Sequence, residues 1–161
     1  MNIRTLALAL AGLCLSAAAS ADQASQIHAS GAWIRVLPGA LPAGAYVQLQ
    51  NDGAQPARLT GASSARYARV MLHRSSSTGG MSTMSAVDAL EIPAHGQAAL
   101  APGDYHLMLM QPVTPVRPGD TVTLQLTFAD GSTLDTRFAA RPANALDAGE
   151  AADRPAAPLA H

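Results

Sequence analysis

Thr121-Val122-Thr123-Leu124-Gln125-Leu126-Thr127-Phe128 runs into Ala129-Asp130-Gly131, and a second strand-like stretch follows from Ser132 to Phe138. Asp130-Gly131 between two such runs is a strong hairpin signal, because glycine accepts the positive φ that a tight reversal needs. The same punctuation recurs along the chain. Gly44-Ala45-Tyr46-Val47-Gln48-Leu49-Gln50 alternates and is closed by Asn51-Asp52-Gly53, while Ala32-Trp33-Ile34-Arg35-Val36 is closed by Pro38-Gly39. Ala57 to Thr60, Ala68 to His73, Met81 to Met84, Leu90 to Ile92, Gln97 to Leu100 and Tyr105 to Met110 add further short strands, and Arg74 to Gly80 reads as a Ser/Gly-rich loop. The 13 glycines and 11 prolines supply the turns. Roughly nine short strands with a turn every 8–12 residues predict an all-β sandwich or barrel.

The ends read differently. Arg4, the apolar run Thr5 to Leu15 and Ala19-Ser20-Ala21 form the charged, apolar and small-residue regions of a signal peptide over residues 1–21. The run is too short to span a bilayer core of roughly 30 Å, so no membrane span is expected. Cys14 follows the bulky Leu13 rather than a small residue, which favours ordinary cleavage after Ala21 over lipid attachment at the cysteine. Residues 22–138 are then the folded domain, and the Ala/Pro-rich stretch 139–161 is expected to be a flexible tail.

This division bounds the chemistry. Cys14 is the only cysteine, so the processed chain has no disulfide, thiolate nucleophile or thiolate ligand. It keeps nine arginines against 11 acidic residues, for a formal charge of −2, and no basic block stands out. A nucleic-acid footprint is therefore not expected. Asp88 and Glu91 read as solvated, and nothing pairs them as an acid and a base at one centre.

Two segments concentrate histidine and methionine. One is Met71-Leu72-His73 with Met81 and Met84, and the other is His106-Leu107-Met108-Leu109-Met110. Side chains of a strand alternate between faces. Leu107 and Leu109 thus share one face while His106, Met108 and Met110 share the other. Val70 and Leu72 likewise oppose Met71 and His73. Each segment presents an imidazole beside a thioether, a soft donor set suited to Cu(I) and poor for Mg²⁺, Ca²⁺ or structural Zn²⁺. Methionine is also a common filler of irregular cores, and packing alone would account for such residues equally well. Trp33 reads as core. His28 and His95 read as solvated loop or turn residues.

The spacing points further. His73, Met84, His106 and Met108 form the pattern H-x10-M-x21-H-x-M, which resembles the copper-binding signature of the periplasmic PCuAC copper chaperone family. Ala32-Trp33-Ile34-Arg35, Gly44-Ala45-Tyr46, Gly61-Ala62-Ser63-Ser64 and Pro102 to Met110 resemble stretches of the same family, so the likeness covers roughly residues 27–138. It implies a cupredoxin-like Greek-key β-sandwich that holds one Cu(I) through His73, Met84, His106 and Met108. It also implies a periplasmic location and delivery to a copper-accepting apoprotein, cytochrome c oxidase subunit II or an assembly factor of its CuA centre, with no enzymatic step. A copper buffer or resistance protein with the same site, and a metal-free interaction module, are the rival readings. Met81 stands three residues before Met84, where the family usually has a methionine two before. An extended segment puts Met81 and Met84 on opposite faces, so only one can be a ligand, and the spacing favours Met84. Met71 and Met110 read as walls of the site.

Exported material is expected to begin at Asp22. Mass spectrometry that finds a chain starting before Ala17, or a diacylglycerol on Cys14, would overturn this reading of the leader.

Overall fold

The computed structural model describes residues 22–149; the expected signal peptide, 1–21, and positions 150–161 of the expected tail lie outside the described residues. Ten strands follow one another: β1 (Ile27–Arg35), β2 (Ala43–Asn51), β3 (Ala57–Ser63), β4 (Tyr67–Thr78), β5 (Met81–Ala86), β6 (Leu90–Ile92), β7 (Gln97–Leu100), β8 (Tyr105–Pro112), β9 (Thr121–Phe128) and β10 (Thr133–Arg141). They hydrogen-bond in the order β5-β4-β8-β2-β1-β10-β9-β3-β6, with β7 paired to β2. One edge of β2 is divided: Ala43 to Ala45 pair with β8, and Val47 to Gln50 pair with β7. The first and last strands pair in parallel, and every other pairing is antiparallel. The path folds over on itself, bringing β6 against β2 and β7 and β3 against β4. The result is the expected all-β sandwich.

Strand alternation fills its interior. In β9, Val122, Leu124, Leu126 and Phe128 are buried while Thr121, Thr123 and Gln125 are exposed. Leu72 from β4 and Leu107 and Leu109 from β8 join them in the core. Each such side chain contributes on the order of 1.5–3 kcal/mol of burial. The hairpin signal at Asp130-Gly131 is realised: Gly131 has φ +82°, and its amide donates to the Phe128 carbonyl at 2.9 Å.

Three elements differ from the expectation. The stretch Arg74 to Gly80 is not a loop; β4 continues to Thr78 and reverses through Gly79-Gly80, with φ of +60° and +79°. Two consecutive positive φ values make the tight hairpin turn that two glycines favour. The arm carries little buried surface on either face, so its sequence has no apolar period from which a strand could be read. β1 begins at Ile27, which places His28 in a strand, exposed, with Nε2 3.1 Å from Asp52 Oδ2. β10 runs to Arg141, because Ala139, Ala140 and Arg141 pair with Trp33, Ile34 and Arg35.

Trp33 is buried, but on the face away from the main core. It stacks on Tyr46 with ring centroids 4.6 Å apart, and the Arg35 guanidinium lies 5.3 Å and 5.4 Å from the two ring centres. Tyr46 folds over Gly44, where an added Cβ would lie 2.6 Å from the phenol oxygen. Gly44 is the register partner of Met108, so this outer aromatic layer abuts the methionine rank of β8. Gly44→Ala is expected to destabilise the domain by about 1–3 kcal/mol, the usual cost of overpacking. Chemical denaturation checks this; an unchanged midpoint would mean the ring moves aside freely.

Candidate metal centre

The site residues stand on β4, β5 and β8, at the end of the strand path. β4 and β8 run antiparallel with a fixed register: Val70 opposite Leu109, Met71 opposite Met108, Leu72 opposite Leu107, and His73 opposite His106. Directly opposed residues have Cα atoms only ~4.5–5.5 Å apart. The leucine–leucine and valine–leucine pairs face the core. The histidine pair and the methionine pair therefore form two adjacent ranks on the other face.

The two imidazoles meet edge to face, with ring centroids 5.9 Å apart and planes at 79°. Their nitrogens are unequal. His106 is 5% exposed, and its Nδ1 lies 3.0 Å from the Asp104 carbonyl oxygen. A carbonyl only accepts, so Nδ1 carries the proton and Nε2 of the neutral ring is left as a lone-pair donor. That Nε2 is buried and without a partner, and so is Nδ1 of His73. Buried polar atoms are nearly always satisfied, so two orphan nitrogens on facing rings call for an explanation. A bound soft cation supplies one.

Asp104 stands in the turn that enters β8, its amide donating to the Ala101 carbonyl at 3.1 Å. Its carbonyl also accepts the Ser75 amide at 3.1 Å, and its carboxylate accepts from Arg74 Nε at 3.1 Å. Arg74 in turn covers the Tyr105 ring at 4.8 Å. One residue thus ties the β4–β5 arm to the tautomer of His106, the kind of outer support that orients a metal-binding imidazole. No sequence signal could have identified it, because the group at work is a main-chain oxygen.

The methionines fall at graded distances. Met108 and Met71 are half-buried and stand one rank from the histidine pair. Met110, opposite Arg69, is a rank further away. Met84 lies opposite Ser75, one rank beyond the histidines on their other side, and is 53% exposed. Met81 is opposite Thr78, on the reverse face of the arm, and is 73% exposed. His28 and His95 belong to other parts of the fold. Among the described residues, no three His, Cys, Asp or Glu side chains gather as a metal site. The two imidazoles therefore have thioethers rather than carboxylates for neighbours, which fits a soft monovalent cation and not a hard divalent one.

Burial, and secondarily the neighbouring His106 ring, holds the His73 pKa below the ordinary imidazole value. The ring is therefore neutral and free to donate at neutral pH. The folded protein resists a proton that the unfolded chain accepts, so the contribution of His73 to folding weakens as pH falls through the ordinary value of about 6.5.

Comparison with known proteins agrees with this architecture. The family described as "Putative lipoprotein LpqE-like" matches residues 27–140. The "Putative lipoprotein Lxx21020" of Leifsonia xyli subsp. xyli is 32% identical over 137 residues, covering 82% of either chain. The solution structure of apo-DR1885 from Deinococcus radiodurans is 31% identical with a TM-score of 0.57, over 88% of this chain and 97% of that one. The CuI-DR1885 structure is 34% identical with a TM-score of 0.56, over 69% and 75%. The copper-bound PCuAC domain from PmoF2, at 24% identity and a TM-score of 0.61 over 73% and 93%, shares the fold.

In a proton NMR titration of the metal-free protein, His73 is expected to titrate below the ordinary imidazole value, and His106→Ala is expected to move it upwards. An unshifted His73 would mean that its ring is solvated rather than held against its partner.

Proposed function

The chain belongs to the LpqE-like family, which is of PCuAC type, and from that premise we propose that it is a Cu(I) metallochaperone. In this reading His73, Met84, His106 and Met108 hold one Cu(I), which is cargo rather than a resident cofactor. The observation that carries the proposal is the facing pair His73 and His106, each with a buried, unpartnered nitrogen, set one rank from a thioether pair. CuI-DR1885, 34% identical to this chain, supports the same metal.

The site's form suits transfer. Its imidazoles are sheltered and pre-oriented, whereas Met84 stands on an exposed arm at the sheet edge. An acceptor's ligands can reach the metal from the Met84 side and replace the donors one at a time. Thioethers carry no proton at ordinary pH, so acid weakens the site only through its histidines. No covalent bond of a substrate breaks, and the protein is not an enzyme in this reading. The acceptor we propose is the CuA centre of cytochrome c oxidase, either its subunit II or a factor that assembles it, reached in the periplasm after cleavage behind Ala21.

Met108→Leu is expected to reduce Cu(I) affinity by more than tenfold while changing stability by less than ~1.5 kcal/mol, since the two side chains are similar in volume. Competition against a Cu(I) chelator at one pH, with chemical denaturation of the metal-free variant, checks both. Parent-like affinity would reduce Met108 to packing and remove the site. Transfer of Cu(I) to an apo CuA domain, followed by the visible spectrum of the acceptor, distinguishes delivery from buffering.

A further inference from the structure

Met71 falls outside the H-x10-M-x21-H-x-M spacing and would pass as a wall of the site. Its placement is that of a donor. It lies directly opposite Met108 across the β4–β8 ladder, one rank from the His73–His106 pair, on the same face and with comparable partial burial. With respect to the histidine pair, Met71 is to β4 what Met108 is to β8. The antiparallel pairing places both thioethers one rank from the imidazoles on one face.

Met84 differs from both. It stands on β5, the terminal strand of the path, one rank beyond the histidines, four residues along the ladder from Met71. At roughly 3.4 Å per residue this separates the ranks of Met71 and Met84 by about 14 Å along the strands, with the imidazoles between them. Met84 is 53% exposed on an arm whose side chains bury little. The arm turns on two glycines in tandem. Of the thioethers within one rank of the imidazoles, Met84 is therefore the one an acceptor meets first.

Resting on the copper-binding reading above, we propose that Met71 is a further thioether ligand, which replaces Met84 as the second sulfur donor, from the other side of the imidazoles, when Met84 is withdrawn. The metal then keeps two imidazoles and two thioethers, His73, His106, Met108 and Met71, while the arm is displaced. Ligand replacement consequently begins without leaving copper on three donors. No electron or proton changes hands, since the incoming and outgoing groups are neutral thioethers.

The test uses the processed protein and four variants: Met84→Leu, Met71→Leu, the double variant, and Met81→Leu, whose side chain is on the reverse face of the arm. Cu(I) affinity is measured by chelator competition, and sulfur and nitrogen neighbours are counted by X-ray absorption. Met84→Leu is expected to keep stoichiometric Cu(I) with the parent's two sulfur neighbours. The double variant is expected to lose one sulfur and to bind at least about tenfold more weakly than Met84→Leu, at the low end of what loss of a supporting group already costs a metal site. Met81→Leu should match the parent, and circular dichroism of the metal-free forms should be unchanged. A double variant with the sulfur count and affinity of Met84→Leu would overturn the role of Met71 while leaving copper binding intact. A parent protein that takes up no stoichiometric Cu(I) would instead overturn the copper-binding reading and this inference with it.

Discussion

The register of β4 against β8 is the constraint on which the rest of the site depends. A strand's side chains alternate with a period of two, so a slip of one residue would send every group to the wrong face. Here the core prevents the slip. Leu72 opposite Leu107 and Val70 opposite Leu109 place three fully or nearly fully buried leucines in the sandwich interior. Displacing them would expose several apolar side chains, each at a cost on the order of 1.5–3 kcal/mol. The hydrophobic face thereby dictates that His73 meets His106 and Met71 meets Met108 on the other face. Which donors face each other is thus a by-product of core packing.

The two facing imidazoles each keep one buried nitrogen without a partner. The ladder sets their backbones opposite each other on the face away from the core. His106 is further held through Nδ1 by the Asp104 carbonyl. The same carbonyl accepts the Ser75 amide, which roots the β4–β5 arm at the site. In the proposed reading, sheltered imidazoles beside an exposed arm combine what capture and release each require. Capture is favoured by donors that are already oriented, while release is favoured by one ligand that a partner can reach.

The outer face of the sheet also has its own small packed layer. Trp33, Tyr46 and Arg35 stack there, and Tyr46 occupies the space that the missing side chain of Gly44 leaves. Gly44 lies opposite Met108. The aromatic layer thus lies on the β1 side of the methionine rank, and the exposed β5 arm on the other side of the histidines.

Much of this was legible from residues alone. Alternation in Gly44 to Gln50, the Asp130-Gly131 reversal and the spacing of turns determined an all-β sandwich or barrel. The i, i+2 spacing of His106 with Met108 and of Met71 with His73 determined that each strand shows an imidazole and a thioether on one side. Those properties are local, set by the two-residue period of a strand. The β character of Arg74 to Thr78 was not legible, because an arm exposed on both faces has no hydrophobic period. The role of Asp104 was not legible either, because a main-chain carbonyl has no residue-type signature. The sequence could not show which rank of β4 meets which rank of β8, and so could not reveal that Met71 stands opposite Met108. Pairing between strands about thirty residues apart is decided by burial of their leucines in a common core, and only the tertiary structure contains that core.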